Sequence, residues 1–220
     1  MTVSNTFQMA CDTDEESIFN IALGAGGENG SAITDQHRIC IDNIVLEKTS
    51  APEIDVPVGK NLITNSEFEM NEDGSLAGWE NAVTAPGDAT FEAGDGKITY
   101  SVENVGEADW NIQLKQMGLS LEQGESYTLK CTLVSDVDRV VKVAVMTPSA
   151  GYAWHGGEDV VLTAGEAKDV TLTITPKEEV FTDGITVDTG AGLFFSMGYV
   201  EGYTLGAHTV SISNVSFVKN

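Results

Sequence analysis

Alternation of apolar and polar residues is the dominant pattern along the chain. Residues two apart share one face of a strand, so this alternation predicts β-structure. It marks as strands the segments 97–103, 110–115, 126–133, 139–146, 169–175 and 208–218. Few stretches show helical periodicity, and clusters of Gly, Asn, Asp and Pro separate the strands as hairpin connections would. The pattern predicts an all-β fold, an antiparallel β-sandwich.

The start of the chain resembles its end. Residues 6–48 contain TFQMA, SIFNIALG and HRICIDNIVLEK, whereas residues 171–219 contain TLTIT, GLFFSMGY and HTVSISNVSFVK. In each copy two strands precede a third that closes the unit. The segment between the copies begins with TSAPEIDVPVG, which holds two of the five prolines and predicts a stiff linker. We therefore expect a partial β-domain at 1–48, a linker at 49–59 and a complete β-sandwich at 60–220.

Charge and cysteine content narrow the classes of partner. Thirty-four acidic residues oppose 11 basic ones, a formal net charge of −23, which argues against a nucleic-acid partner. No apolar run approaches the roughly 20 residues of a membrane span, so no membrane partner is expected. The three cysteines lack CxxC spacing and indicate neither a disulfide framework nor a thiolate zinc site. The N-terminal sequence has no basic, apolar leader, which fits either an intracellular protein or a mature segment of an exported precursor.

One combination of motifs is specific at the level of a family. It consists of NLITNSEFE at 61–69 with Gly78-Trp79, then WNIQL running into GLSL, then GESYTL at 124–129 and the closing HTVSISNVSFV. In this order the segments resemble the carbohydrate-binding modules of families 4, 9, 16 and 22. The resemblance covers essentially all of 60–220, and 6–48 resembles the final third of a second module. It implies a jelly roll that binds glucan or xylan chains in a groove across one sheet, and a secreted or cell-surface protein attached to a polysaccharide-degrading enzyme.

Strand parity predicts which polar side chains line such a groove. In 139–146 the alternating valines are expected to face the core, which leaves Lys142 on the outer face. By the same argument Asn111, Gln113 and Ser196 face outward, and amides supply the donors and acceptors that sugar hydroxyls need. Ser196 stands where a family 4 relative often has a glutamine. An exposed polar residue such as Gln113 is equally ordinary on a solvated sheet face, so parity alone leaves both readings open.

Aromatic residues supply candidate platforms for sugar rings. Tyr152 and Trp154 lie in the loop TPSAGYAWHGG, and Tyr199 and Tyr203 follow the penultimate strand. Tyr152 lies where related modules carry a sugar-stacking tyrosine. The alternative for each ring is that it closes an end of the sandwich; the glycines around the first pair favour a surface loop instead.

Two other tryptophans are predicted to pack. Trp79 stands beside a glycine after the first motif, a position that more often caps a core than stacks a ligand. Trp110 shares its parity with Ile112 and Leu114, so it is expected to point inward with them.

The resemblance further implies a structural calcium near the first and last strands, with Glu69 and Asn214 as oxygen ligands. The same run, EMNEDG, only partly fits a helix-loop-helix calcium loop, and no amphipathic helices flank it.

Catalysis has no motif to support it. His37, His155 and His208 are far apart in sequence, and neither G-x-S-x-G nor HExxH occurs. Some pair among 34 acids will fall at a glycosidase spacing by chance, so a count of acids does not decide that question. We expect a non-catalytic polysaccharide-binding module. The alternative is a structural protein in which 1–48 completes a sandwich with another chain and so mediates self-association.

Overall fold

The computed structural model describes residues 56–182, 184–203 and 205–220, which belong to the unit Ile54–Asn220. They form β1 (Glu80–Val83), β2 (Asp88–Gly94), β3 (Lys97–Asn104), β4 (Ile112–Glu122), β5 (Tyr127–Ser135), β6 (Arg139–Thr147), β7 (Ala153–Leu162), β8 (Lys168–Ile174), β9 (Val187–Ser196) and β10 (His208–Lys219). Three 3-10 turns span Asp109–Asn111, Pro148–Ala150 and Glu178–Val180. The partial domain predicted for 1–48 lies outside the described residues.

The strands form two antiparallel five-stranded sheets. The first, called here the front sheet, has the order β1-β4-β9-β6-β7, and the back sheet has the order β2-β3-β10-β5-β8. The two sheets enclose one hydrophobic core. The predicted all-β sandwich is therefore confirmed.

Side-chain alternation fills the core as the sequence predicts. On β6, Val141, Val143 and Val145 are fully buried, and so are Ile112 and Leu114 on β4. Burying one such side chain stabilises the fold by roughly 1.5–3 kcal/mol. The inward face of the front sheet thus follows the parity of its strands.

The cap formed by Trp79 is also confirmed. Its ring lies 5.2 Å from Phe68 and 6.4 Å from Phe195, and its indole N–H donates to the Asn65 carbonyl at 3.0 Å. Of the cysteines, Cys131 lies in the described part; it is buried in the core, which raises its pKa to about 12. That thiol packs as a small apolar residue.

The alternation found the edge strand β8 but missed the edge strands β1, β2 and β7. Edge strands expose both of their faces in part, so their apolar pattern is weak. The central strand β9, which is buried on both faces from Ala191 onward, was indicated only by the repeat. The end of the predicted linker also differs from expectation. Val56 is buried, and the Gly59 N–H donates to the Lys219 carbonyl at 3.1 Å, so residues 56–59 pack on the sandwich.

Candidate functional site

The outer face of the front sheet carries side chains in rows, because strand register places them side by side. The apolar row is Met117, Gly192, Met146 and Trp154; the middle row is Lys115, Phe194, Ala144 and Gly157; the polar row is Gln113, Ser196, Lys142 and Asp159. Along β6, the rows extend from Met146 toward Val140, about 20 Å in total at the usual rise per residue. We call this surface the front face.

The apolar row forms a low floor because two glycines leave room for the larger side chains. Gly192 is a member of the row, and Gly157 lies in the middle row beside Trp154. A Cβ at Gly157 would lie 2.6 Å from Cζ2 of Trp154, so the indole lies against the bare backbone of that glycine. A Cβ at Gly192 would similarly lie 2.5 Å from the sulfur of Met117. Trp154 is still 41% exposed. Its free surface is available to stack on the apolar face of a sugar ring.

The polar row is held by contacts within the protein. Gln113 donates from Nε2 to the Ser196 hydroxyl at 2.9 Å. Both residues belong to the outward row, as parity predicts, but Ser196 is only 5% exposed and therefore buried, whereas Gln113 is half-buried. The Lys142 ammonium is hydrogen-bonded to the Asp109 carboxylate, which raises the pKa of Lys142. This ion pair ties β6 to the turn Asp109–Asn111. Lys142 is thus on the predicted face, but its cation is engaged by a carboxylate.

Asn111 does not lie on the front face, and the prediction of an outward amide is wrong. Its side chain is 2% exposed. Its Oδ1 accepts the backbone N–H groups of Glu107 and Ala108 at 2.9 and 2.8 Å, and its amide donates to the Thr84 carbonyl at 3.0 Å. The residue lies in a 3-10 turn that precedes β4, where strand parity does not apply.

Trp110 lies on the same turn, and its predicted inward packing is wrong for the same reason. It is 53% exposed. The segment that follows β9 pairs with this turn. The N–H groups of Gly198 and Tyr199 donate to the carbonyls of Asp109 and Ala108 at 2.9 and 3.1 Å. Trp110 is an exposed ring at this end of the front sheet, which sequence reasoning missed. The signal that could have found it is the turn-forming run GEAD before it.

Tyr152 stands at the opposite end, after the turn Pro148–Ala150. It is 63% exposed and has a φ of 62°, directly after Gly151 at a φ of 64°. A non-glycine residue in the left-handed region costs free energy, and such positions cluster at ligand-binding sites. Tyr152 and Trp154 are thus surface rings at the start of β7, as predicted.

A buried polar cluster supports that loop from below. Nδ1 of His155 accepts the Lys177 N–H at 3.0 Å, so its Nε2–H donates to the Thr147 hydroxyl at 2.8 Å, which in turn donates to Asp188. Burial lowers the pKa of His155 and keeps the imidazole neutral. Sequence reasoning did not bring these residues together. Thr147 is buried, so its hydroxyl is not an accessible nucleophile.

The loop after β9 is held by a buried arginine. The Arg139 guanidinium donates to the Met197 carbonyl and contacts Nε2 of His208, whose Nδ1–H donates to the Gly206 carbonyl at 2.7 Å. Burial lowers the pKa of Arg139 to about 10 and also lowers the pKa of His208. The cation thus fixes both ends of the loop that presents Tyr199.

Tyr199 and Tyr203 have different surroundings. Tyr199 is 40% exposed and lines a cavity of about 260 Å³ together with Asp109, Lys142, Asp159 and Glu201. We call it the Tyr199 cavity. Tyr203 is half-buried, does not line that cavity, and donates its N–H to the Val200 carbonyl at 3.2 Å. Of the two predicted rings, only Tyr199 adjoins the front face.

The two predicted calcium ligands are not brought together. The Asn214 amide donates to the Thr132 hydroxyl at 3.1 Å, whereas Glu69 is tied through its backbone to Asn65. A cleft of about 480 Å³ beside Asn214 is lined instead by Glu67 and Asp95. Within the described ranges, no group of three or more His, Cys, Asp or Glu residues has the arrangement of a metal site.

Comparisons with known proteins bear on the family and the fold. The profile of a carbohydrate-binding domain family, CBM4/9, matches residues 60–189. A solved CBM4 module is similar at 20% identity and a TM-score of 0.57, over 72% of this chain and 99% of that one. The N-terminal cellulose-binding domain of β-1,4-glucanase C from Cellulomonas fimi is similar at 20% identity and a TM-score of 0.52, over 73% and 98%.

A larger protein contains the same fold. An arabinose-bound GH51 α-L-arabinofuranosidase is similar at 11% identity and a TM-score of 0.52, over 74% of this chain and 27% of the enzyme. At these identities the solved structures show the fold. No curated protein is significantly similar to the chain.

No helix in the described part of the chain is long and apolar enough to cross a membrane. The family profile covers more than half of the chain, beginning one residue before the first motif of the sandwich and ending in β9. The chain therefore belongs to the CBM4/9 carbohydrate-binding domain family, whose modules are non-catalytic, typically extracellular and bind polysaccharides.

Proposed function

We propose that the front face binds a β-glucan or xylan polymer. We further propose that this protein serves as the targeting module of an attached glycoside hydrolase. One observation carries the proposal. Four aromatic side chains stand out as exposed in the described ranges, and all of them come from the front sheet or its loops: Trp110, Tyr152, Trp154 and Tyr199. Exposed rings concentrated on one surface are typical of a binding site.

The chemistry of the face suits a neutral sugar chain. Rings and the methionine floor contact the C–H faces of sugars, while the half-buried Gln113 offers an amide donor and acceptor to hydroxyls. Because a few rings and amides supply the free energy, the expected affinity is modest, with a Kd of roughly millimolar to micromolar.

The attached enzyme is inferred from architecture. The chain of the GH51 arabinofuranosidase contains a similar sandwich. A targeting module would be joined to an enzyme in the same way. We assign no catalytic role to this chain itself and place it outside the cell. The Thr147–His155–Asp188 cluster supports the first point, because its hydroxyl is buried and a polymer chain could not reach it.

Self-association through residues 1–48 stays a prediction, since those residues lie outside the described part.

A glycan panel tests the proposed function directly. The full chain is run in native gels containing barley β-glucan, hydroxyethyl cellulose, arabinoxylan or galactomannan, with a gel lacking polysaccharide as reference. We expect retardation by a glucan or xylan and loss of it in Tyr152→Ala. Met70→Ala is the control, because Met70 is an exposed apolar residue that precedes β1 and belongs to none of the rows of the front face. Unretarded migration in every gel would overturn the proposal.

A structural calcium is a separate proposal, with Glu67 in place of Glu69. The cleft beside Asn214 is lined by the carboxylates of Glu67 and Asp95, the side chain of Asn214 and the cation of Lys97. Its oxygen donors are of the hard kind that suits Ca²⁺, and a bound ion would have to lie on the side of the cleft away from Lys97. A bound ion would link the β2–β3 turn to the bulge in β10. We expect calcium to raise the Tm of the EDTA-treated protein and to leave that of Glu67→Gln unchanged. Equal Tm values with and without calcium would contradict the proposal.

A further inference from the structure

The Tyr199 cavity combines a ring with an excess of negative charge. Three carboxylates line it, from Asp109, Asp159 and Glu201, and one cation, Lys142. Asp109 neutralises that cation through their ion pair. Asp159 and Glu201 are exposed and form no ion pair within the described part of the chain. Asp159 lies opposite Lys142 in the strand register and adds to the rise in the pKa of that lysine, so the lining still carries an excess of two negative charges.

The cavity is continuous with the surface assigned to the sugar chain. Lys142 and Asp159 are the last two members of the polar row, which begins with Gln113 and Ser196. A polysaccharide that crosses the rows from Trp154 toward Tyr199 therefore passes over the carboxylates of Asp159 and Glu201. At the other end of the face, the apolar row contains no charged residue.

We propose that the Tyr199 cavity is an end subsite of the front face that accepts a neutral sugar residue and excludes a carboxylated one. The Tyr199 ring supplies the apolar contact, and the carboxylates of Asp159 and Glu201 accept hydrogen bonds from sugar hydroxyls. A uronate at the same place would bring a third negative charge beside them. The inference rests on the proposed function, because it assigns a selectivity to the same face.

The magnitude of the effect follows from the exposure of the charges. Pairs of exposed charges at short range change affinities by about twofold to threefold each, and salt screens them. Two unpaired carboxylates should therefore favour the neutral chain by roughly threefold to tenfold at low salt. The preference should shrink at an ionic strength of about 0.5 M, where the Debye length falls to a few ångström.

The test compares two polymers with one backbone. Binding of the full chain to hydroxyethyl cellulose and to carboxymethyl cellulose of matched length and substitution is measured by calorimetry at low and high salt. The variant is Asp159→Asn combined with Glu201→Gln, which keeps hydrogen-bonding groups and removes both charges. The control is Glu92→Gln combined with Glu103→Gln, two exposed positions on strands of the back sheet, with the same change in net charge.

We expect the wild type to prefer the neutral polymer, the variant to lose about threefold to tenfold of that preference, and the control to keep it. An unchanged preference in the variant, or an equal loss in the control, would overturn the inference while leaving the proposed function intact. If neither polymer nor any other glucan or xylan binds the wild type, the proposed function itself fails and the inference fails with it.

Discussion

The two sheets bury their inner faces by the same rule and differ on their outer faces. The back sheet presents hydroxyl-bearing residues outward, namely Thr90, Thr99, Ser101, Thr128, Thr132, Thr171, Thr173, Thr209, Ser211, Ser213 and Ser216. It shows no exposed aromatic side chain in the described ranges. The front sheet presents a tryptophan, methionines and a glutamine. Hydroxyls alone offer hydrogen bonds that water supplies equally well, so only the front face has an apolar surface on which a sugar ring gains free energy.

The two sheets differ in the residues whose side chains point outward from each strand. The inward residues of both sheets are mostly aliphatic, with Tyr100, Tyr127, Phe195 and Phe217 buried among them, and their burial stabilises the fold. The exposed outward residues are expected to contribute little to stability, and the proposed function assigns a ligand to the front face alone. Variants on the two outer faces should therefore separate binding from folding.

Removing the Trp154 ring on β7 should cause the largest difference in sugar affinity between variants of the front face and variants of the back sheet. Trp154→Ala takes away the exposed indole of the apolar row, and we expect sugar affinity to fall roughly tenfold to a hundredfold. Thr99→Ala on the back sheet should leave affinity unchanged. Calorimetric titration with the best-binding oligosaccharide measures both. Equal losses in the two variants would remove the distinction between the faces.

The turn before β4 offers the next largest effect. Trp110→Ala should weaken binding by about tenfold and change the free energy of unfolding by less than about 1 kcal/mol, because the ring is half exposed. A tryptophan packed in the core would instead cost about 3–5 kcal/mol when truncated to alanine. Urea unfolding beside calorimetry distinguishes these outcomes, and a large loss of stability with intact binding would restore the interpretation of Trp110 as a core residue.

A smaller effect should follow from filling the floor. In Gly192→Ala the new methyl group would displace the flexible end of Met117, whose sulfur would otherwise lie 2.5 Å away. We expect affinity to fall about threefold, roughly 0.6 kcal/mol, through the altered floor. Gly74→Ala is unsuitable as a control because its φ of 81° would add backbone strain, so Met70→Ala serves again. Unaltered binding by Gly192→Ala would show that the floor does not contact the sugar.

A fall in pH below about 6.5 should lower the free energy of unfolding through two buried histidines. Burial lowers the pKa of His155 and of His208 from 6.5, and the nearby Arg139 cation adds to the shift of His208. Both imidazoles bind protons more readily in the unfolded chain, so the stability they contribute is complete above about pH 6.5 and falls as the pH drops toward their lowered pKa. Urea unfolding at pH 8 and pH 5.5 should show a lower free energy of unfolding at the acidic value. A flat profile would contradict the neutral, buried assignment of both rings.

The sequence predicted the sandwich, the inward residues of β4, β6 and β9, and the exposed pair Tyr152 and Trp154. These features depend on a local period of two and on glycine-rich turns. Parity alone could not predict that Asn111 and Trp110 exchange roles, because a 3-10 turn just before β4 breaks the period, and the run GEAD was the one local sign of that turn.

Contacts between distant segments were also beyond its reach. The pairing of Lys142 with Asp109 and the arginine-held loop join residues far apart in the chain. No local pattern encodes such pairs, and they decide which polar groups remain free on the front face.

The most direct test of the central claim is an NMR titration of the full chain with cellohexaose or xylohexaose, whichever the glycan panel favours. Backbone amide shifts are followed for the strands of both sheets. Binding to the front face predicts that the shifts are concentrated on β4, β6, β7 and β9, including the indole signals of Trp154 and Trp110, while β3, β5 and β10 stay unperturbed. Shifts concentrated on the back sheet would contradict the account.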